Sequence, residues 1–139
     1  MQRAIAQGIS TFPGDDPRLI GGRCGDCDAI AFPLQQLCPR CSSPNISEEL
    51  LPNRGTLAAW TTQGFYPGFG YKGTEPADAW EPIGVGLVQL GDVIKVEGRL
   101  TESDPEKLET GMAMELTFVP FYTDDEGNEV HTFAFAPVA

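Results

Sequence analysis

From residue 55 onward, apolar and polar positions alternate in short runs, the period-two signature of half-buried strands. The runs 55–63 (GTLAAWTTQ), 83–90 (IGVGLVQL) and 93–100 (VIKVEGRL) come first, and Gly91-Asp92 supplies a hairpin turn between the last two. Residues 112–119 (MAMELTFV) place Met112, Met114, Leu116 and Phe118 on one face. Residues 129–136 (EVHTFAFA) do the same with His131, Phe133 and Phe135, after the polar turn 123–128. Between these strands, 103–110 reads as one or two helical turns, with Ser103 and Glu106 as a capping box and Gly111 as the stop. Five short strands with one small helical connection predict a mainly β fold, a five-stranded OB-like Greek-key barrel.

Composition agrees with short strands and many turns. Gly 16 and Pro 12 together make about a fifth of the 139 residues, which disfavours a helix bundle. Hydrophobic residues are 41% and charged residues 21%, a globular balance. No apolar run approaches the roughly 20 residues of a membrane-spanning helix. The first ten residues carry one arginine and no stretch resembling a signal peptide, so the expected compartment is the cytoplasm and no membrane partner is expected.

Charge divides the chain. Residues 1–55 hold five Arg against six acidic residues, whereas 56–139 hold four cations against fourteen anions. Phosphate backbones are bound by clustered Lys and Arg. The acidic second half would repel them, so nucleic acid is not an expected partner.

The four cysteines lie in one segment, as Cys24-Gly-Asp-Cys27 and, ten residues later, Cys38-Pro-Arg-Cys41. Each CxxC can form a tight turn that aims two thiolates at one point, and two such turns complete a tetrahedral S4 site. Ile30, Phe32 and Leu34 alternate between the pairs as in a short hairpin, which gives the segment the look of a zinc ribbon. Disulfides do not suit a chain without a secretory signal, and a thioredoxin-type site needs a βαβ context. Iron shares these ligands. With four protein thiolates there is no open coordination position, so the expected metal role is structural. Asp28 and Ser42 stand where many such knuckles place Gly, and each must accept a left-handed backbone.

Catalytic residues are scarce. His131 is the one histidine, every cysteine belongs to the metal motif, and there is no GxSxG elbow, Walker loop or dinucleotide fingerprint. The carboxylates cluster in turns such as Asp124-Asp125-Glu126. The connection 64–82 (GFYPGFGYKGTEPADAWEP) is different, with Phe65, Tyr66, Phe69, Tyr71 and Trp80 in 19 residues. Long connections of this kind are functional or disordered, and five aromatics argue against disorder. The loop is expected to be either a lid on the barrel or an aromatic surface for a partner.

Taken in order, RLIGGRC at 18–24, Ala31-Phe32-Pro33, CPRC at 38–41, Gly55-Thr56-Leu57, PIGVGLVQL at 82–90 and LETGM at 108–112 resemble the family of domain of unknown function 35. The resemblance spans about residues 17–137 and implies a rubredoxin-like zinc ribbon followed by an OB fold. The expected divisions are an arm (1–17), the ribbon (18–53) and the OB-fold domain (54–139). Members of that family are commonly small partners of thiolase-superfamily enzymes, among them acyl-CoA thiolases of aromatic degradation, steroid side-chain aldolases, and acyltransferases related to archaeal mevalonate synthesis. The resemblance thus implies a non-catalytic subunit in a hetero-oligomer around a thiolase dimer, whose larger chain supplies the catalytic Cys and His.

That role matches a chain with no thiol to spare for nucleophilic catalysis. The cations open to coenzyme A phosphates are Arg23 and Arg40 beside the metal ligands and Arg54 at the ribbon–barrel junction, because guanidinium makes forked, charge-assisted bonds to phosphate. Phe65, Tyr66 and Phe69 are the expected partner contacts. The expected ligands are structural Zn2+ in the chain and coenzyme A or acyl-CoA in the complex. Two other readings stay open: a zinc-ribbon/OB nucleic-acid-binding module, and a rubredoxin-like electron carrier with iron at the thiolates.

Overall fold

The computed structural model describes residues 1–138. Among the described residues nine strands occur in chain order: β1 (Gln2–Ala4), β2 (Ile20–Cys24), β3 (Ile30–Ala31), β4 (Ile46–Leu50), β5 (Arg54–Gln63), β6 (Ile83–Leu90), β7 (Ile94–Leu100), β8 (Ala113–Thr123) and β9 (Glu129–Pro137). Strands β9-β7-β6-β5-β8 are neighbours in that order, and β8 pairs again with β9, which closes a five-stranded barrel. The mainly β barrel with an N-terminal ribbon is the fold the sequence predicts. Strand β6 alternates half-buried and buried along its whole length, with Val88 and Leu90 fully inside. Its inward glycine Gly86 leaves room for neighbours, since a Cβ there would stand 2.7 Å from Leu100 and 2.9 Å from Leu57. Gly98 on β7 likewise lets the rings of Phe133 and Phe135 approach to 2.9 Å of where its Cβ would lie.

Three local expectations are corrected. The turn between β6 and β7 spans three residues, 91–93, with Gly91 at φ +56° and the Val93 amide donating to Leu90 O at 3.2 Å. Segment 103–110 forms only a 3-10 turn, Pro105–Lys107, capped by Asp104, whose carboxylate accepts from the Glu106 amide at 3.0 Å. Pro105 starts that turn favourably, but Leu108 turns extended and enters the core, so no helix propagates. Gly111, at φ +94°, leads into β8 and donates its amide to Leu57 O. The hairpin of the ribbon is formed by β2 and β3 around the first CxxC turn, with Gly22 opposite Ala31, and does not lie within 28–37. The knuckle itself is the hairpin's loop.

The ribbon sheet has the order β3-β2-β4 and rests on the barrel. Leu19 and Leu51 are buried in one core with Leu57, Val88, Leu90, Val96, Leu100, Met114 and Phe135. Ile30 and Phe32 from the ribbon also pack against it. The N-terminal segment holds a strand the sequence pattern does not reveal. Strand β1 runs parallel to β9, with Arg3 opposite Val130, and Arg3 Nε donates to Asp124 at 2.7 Å. Farther on, Phe12 stacks on Phe118 at 4.7 Å and lies 4.9 Å from the His131 ring.

Candidate metal centre and aromatic loop

The two CxxC turns are built alike. In the first, the amides of Asp26 and Cys27 point at Cys24 Sγ, at 3.4 and 3.5 Å, and Asp28 N donates to Cys24 O at 3.0 Å. In the second, the amides of Arg40 and Cys41 point at Cys38 Sγ, at 3.3 and 3.5 Å, and Ser42 N donates to Cys38 O at 2.9 Å. Asp28 and Ser42 both sit at φ +65°, the left-handed backbone their positions require. Ser42 therefore accepts the conformation as Asp28 does. The knuckles are clasped to each other by Gly25 N donating to Asn45 O at 2.8 Å and by the Ser43 hydroxyl donating to the Asp26 carboxylate.

The resulting four sulfurs converge. Cys24 and Cys41 Sγ are 3.5 Å apart, Cys27 and Cys38 Sγ are 3.6 Å apart, and all four lie within 4.8 Å of one another. A tetrahedron with Zn–S bonds of about 2.3 Å has edges of about 3.8 Å. The cluster fits one zinc ion held by Cys24, Cys27, Cys38 and Cys41. Backbone N–H groups of Cys27 and then Asp26 hold the Cys24 thiol down to about 6, and those of Cys41 and Arg40 lower Cys38 as well. These dipoles favour the thiolate form at Cys24 and Cys38. At Cys41 the Ser43 amide is outweighed by the neighbouring Cys24 and Cys27 thiols, which push it up to about 12. At Cys27 the Ala29 amide is likewise outweighed by burial and the Cys38 thiol, so these two release their protons to a bound cation.

The three arginines differ in their freedom. Arg23 is engaged: its Nε and Nη2 grip both oxygens of Glu49 at 2.7 and 3.0 Å, and its Nη1 donates to Asp28 at 2.7 Å. Arg54 has a loose ion pair with Glu115 at 3.6 Å and is largely exposed. Arg40 is exposed and, among the described residues, has no ion-pair partner.

The aromatic loop divides its rings between two tasks. Tyr66, Tyr71 and Trp80 meet edge to face, with centroids 5.6–5.7 Å apart, and Trp80 Nε1 donates to Gln63 O at 3.2 Å. This half packs inward as a lid, and the stretch between Tyr71 and Trp80, through Thr74, Glu75, Pro76 and Ala79, walls a cleft of about 600 Å3 against Gly84, Arg99 and Val119 of the barrel. Phe65 and Phe69 face outward, 73% and 110% exposed. Of the expected contact residues, the structure thus presents Phe65 and Phe69 and folds Tyr66 inward. Two residues that pattern reading passed over, Glu75 and Arg99, fix the loop by an ion pair of 2.7 Å.

His131 is 5% exposed, with Nε2 3.2 Å from the Glu129 carboxylate, under the Phe12 ring. It is a packed barrel residue, remote in character from an accessible acid–base group. No helix among the described residues is long and apolar enough to cross a membrane.

Comparison with known proteins agrees with this architecture. Residues 13–47 match the family described as ChsH2, rubredoxin-like zinc ribbon domain, and residues 48–119 match ChsH2, C-terminal OB-fold domain. A DUF35 domain-containing scaffold protein of Pyrococcus furiosus is 32% identical over 87% of this chain and 84% of its own. A protein of the same description from Methanocaldococcus jannaschii is 25% identical, covering 86% of this chain and 82% of its own. Among solved structures, a chain of the Ltp2-ChsH2(DUF35) aldolase shares the fold, with TM-score 0.63 and 23% identity over 88% of this chain and 86% of that one. With its four-cysteine ribbon docked on a closed OB barrel and these matches spanning both halves, the chain belongs to the DUF35 family of ChsH2-type proteins.

Proposed function

We propose that this chain is a non-catalytic subunit of a hetero-oligomeric complex with a thiolase-superfamily enzyme, supporting assembly and the binding of acyl-CoA. The single observation that carries the reading is the pair of exposed rings, Phe65 and Phe69, on a loop whose other rings are packed. A monomer gains nothing from holding two phenylalanines in water, whereas an interface uses such side chains as anchors. Relatives described as scaffold proteins, and a fold neighbour that is part of an aldolase of two named components, support the same role. The chemistry supports it from the other side, because the four thiols converge on one metal site and the histidine is buried.

In this reading the larger subunit supplies the catalytic Cys and His, and Zn2+ keeps the ribbon folded. Arg40 and Arg54 are the arginines best placed to meet coenzyme A phosphates, and Arg23 contributes once Glu49 is out-competed. The complex works in the cytoplasm, on acyl-CoA substrates of the kind met in aromatic-compound or steroid degradation. Reconstitution tests the proposal: the isolated chain shows no thiolytic, aldol or condensing turnover, and the complex loses activity when the chain is omitted. Robust turnover by the chain alone, free of the larger enzyme, would overturn it.

A further inference from the structure

Besides the Trp80 bond to Gln63 O, one carboxylate ties the loop between β5 and β6 to the barrel. Glu75 Oε1 accepts from the Tyr71 hydroxyl at 2.9 Å, and its Oε2 accepts from Arg99 Nη2 on β7 at 2.7 Å. Burial pushes the Glu75 carboxyl up, but the hydrogen bonds from Arg99 and Tyr71 outweigh it and hold the group below its usual range. Glu75 therefore stays charged at neutral pH. From the opposite side Phe121 meets Tyr71 at 5.4 Å. Phe121 is the extra residue of a bulge in β8, since Pro120 pairs with His131 and Tyr122 pairs with Val130. A bulge re-aims its unpaired side chain, here onto the loop.

Above this fastening the backbone is sharply turned. Gly68 and Gly70 sit at φ +100° and +92°, and Tyr71 N donates to Gly68 O at 3.2 Å. That turn places Phe69 at the crest, with Phe65 also exposed. The exposed charged residues of loop 64–82 are Lys72, Asp78 and Glu81, on a half-chain with ten more anions than cations. A second copy of this chain or an anionic lipid surface would be repelled by that charge. A protein pocket that is apolar within and cationic at its rim complements it.

The geometry points to Glu75 and Arg99 as positioning residues of a docking crest: their ion pair keeps loop 64–82 folded in the free chain, so Phe65 and Phe69 stand ready to enter an apolar, cation-rimmed pocket of a partner protein. The inference rests on the proposed partnership for its occupant. The energetic reason is preorganisation. A loop of 19 residues ordered only on docking would lose its conformational freedom at that step, and the clasp removes most of that cost beforehand.

Two measurements on the full, zinc-loaded chain test this. In the first, residue-resolved hydrogen exchange compares the wild type with Glu75→Ala, Glu75→Gln and Arg99→Lys. The Tyr71 and Ala79 amides are expected to exchange at least tenfold faster in Glu75→Ala, while Gln and Lys, which keep a hydrogen bond, restore most protection. Zinc content and barrel melting stay unchanged. Equal exchange in the wild type and Glu75→Ala would overturn the clasp.

In the second, stopped-flow association is measured with the purified thiolase-superfamily large subunit of the proposed complex. Glu75→Ala is expected to slow association about tenfold at an unchanged dissociation rate, whereas Phe69→Ala speeds dissociation. If Glu75→Ala frees the loop yet neither variant alters assembly, the docking role is overturned and the clasp only seals a lid, a failure distinct from a chain that forms no complex at all, which overturns the partnership itself. Phe69-dependent self-association in sedimentation, or binding to phosphatidylglycerol vesicles, would overturn the assigned occupant.

Discussion

Phe32 of the ribbon stands edge-on to Phe133 of the barrel, with centroids 5.7 Å apart and planes at 90°. With Leu19 and Leu51 buried in the same core, the contact makes the metal site and the barrel share their apolar support. Zinc sites of this type are coupled to folding. The chain is expected to bind one zinc, and Cys38→Ser to lose it and loosen the ribbon. The β-sheet circular dichroism of the barrel survives, but its melting temperature falls. Phe32→Ala should lower stability by about 2 kcal/mol without abolishing zinc binding, since the ring is only half buried. Metal analysis with thermal melts reads both, and a freshly purified sample near zero zinc would count against the site.

The two kinds of loop aromatic give different phenotypes. Phe69→Ala removes an exposed ring and should leave stability and zinc unchanged, while weakening assembly by about 2 kcal/mol, or roughly 30-fold in Kd. Tyr66→Ala removes a ring that packs on Tyr71 and Trp80, so it should weaken assembly through loss of loop order, visible as a change in Trp80 fluorescence. Calorimetry of assembly, beside fluorescence of the free chain, separates the two.

The arginines should separate as well. Arg23→Ala leaves Glu49 and Asp28 without their cation and is expected to loosen the ribbon, with any effect on substrate secondary to that. Arg40→Ala and Arg54→Ala should leave folding intact and raise the KM for acyl-CoA in the assembled enzyme. The loss is about 1.5–3 kcal/mol for a phosphate contact withdrawn from water, and near zero for one left in solvent. Steady-state kinetics of the complex and melts of the free chain give both readouts.

Acid should release the first strand. The Arg3 guanidinium, followed by the Asn128 amide, holds the Asp124 carboxyl down to about 2. A carboxyl depressed on folding stabilises the native state above its unfolded value, about 3.9, and that contribution fades as pH falls toward 2. The wild type should therefore be more stable than Asp124→Asn at pH 7, with the gap closing between about pH 4 and 2. Paired melts across that range check it, and zinc release, common to both proteins, drops out of the difference. A gap independent of pH would assign Asp124 a role other than its charge.

Local chemistry made the metal site and most of the barrel legible. A CxxC knuckle is closed by hydrogen bonds between residues two to four apart, so its spacing carries its geometry. The barrel strands follow from period-two alternation, because one face must enter the core and the other meet water. Strand β1 is three residues, Gln-Arg-Ala, with no such alternation. It forms because β9 offers an edge and Asp124 offers a partner 121 residues from Arg3. The engagement of Arg23 by Glu49, 26 residues away, is likewise set by strand pairing, which joins β2 to β4. The aromatic composition of loop 64–82 announced a special segment, and it could not say which rings would be buried. That division was decided by Arg99 and the Phe121 bulge, which the closed barrel brings against the loop from two other strands. Contacts within a turn are written in neighbouring residues, whereas these depend on which strand edges meet when the barrel closes.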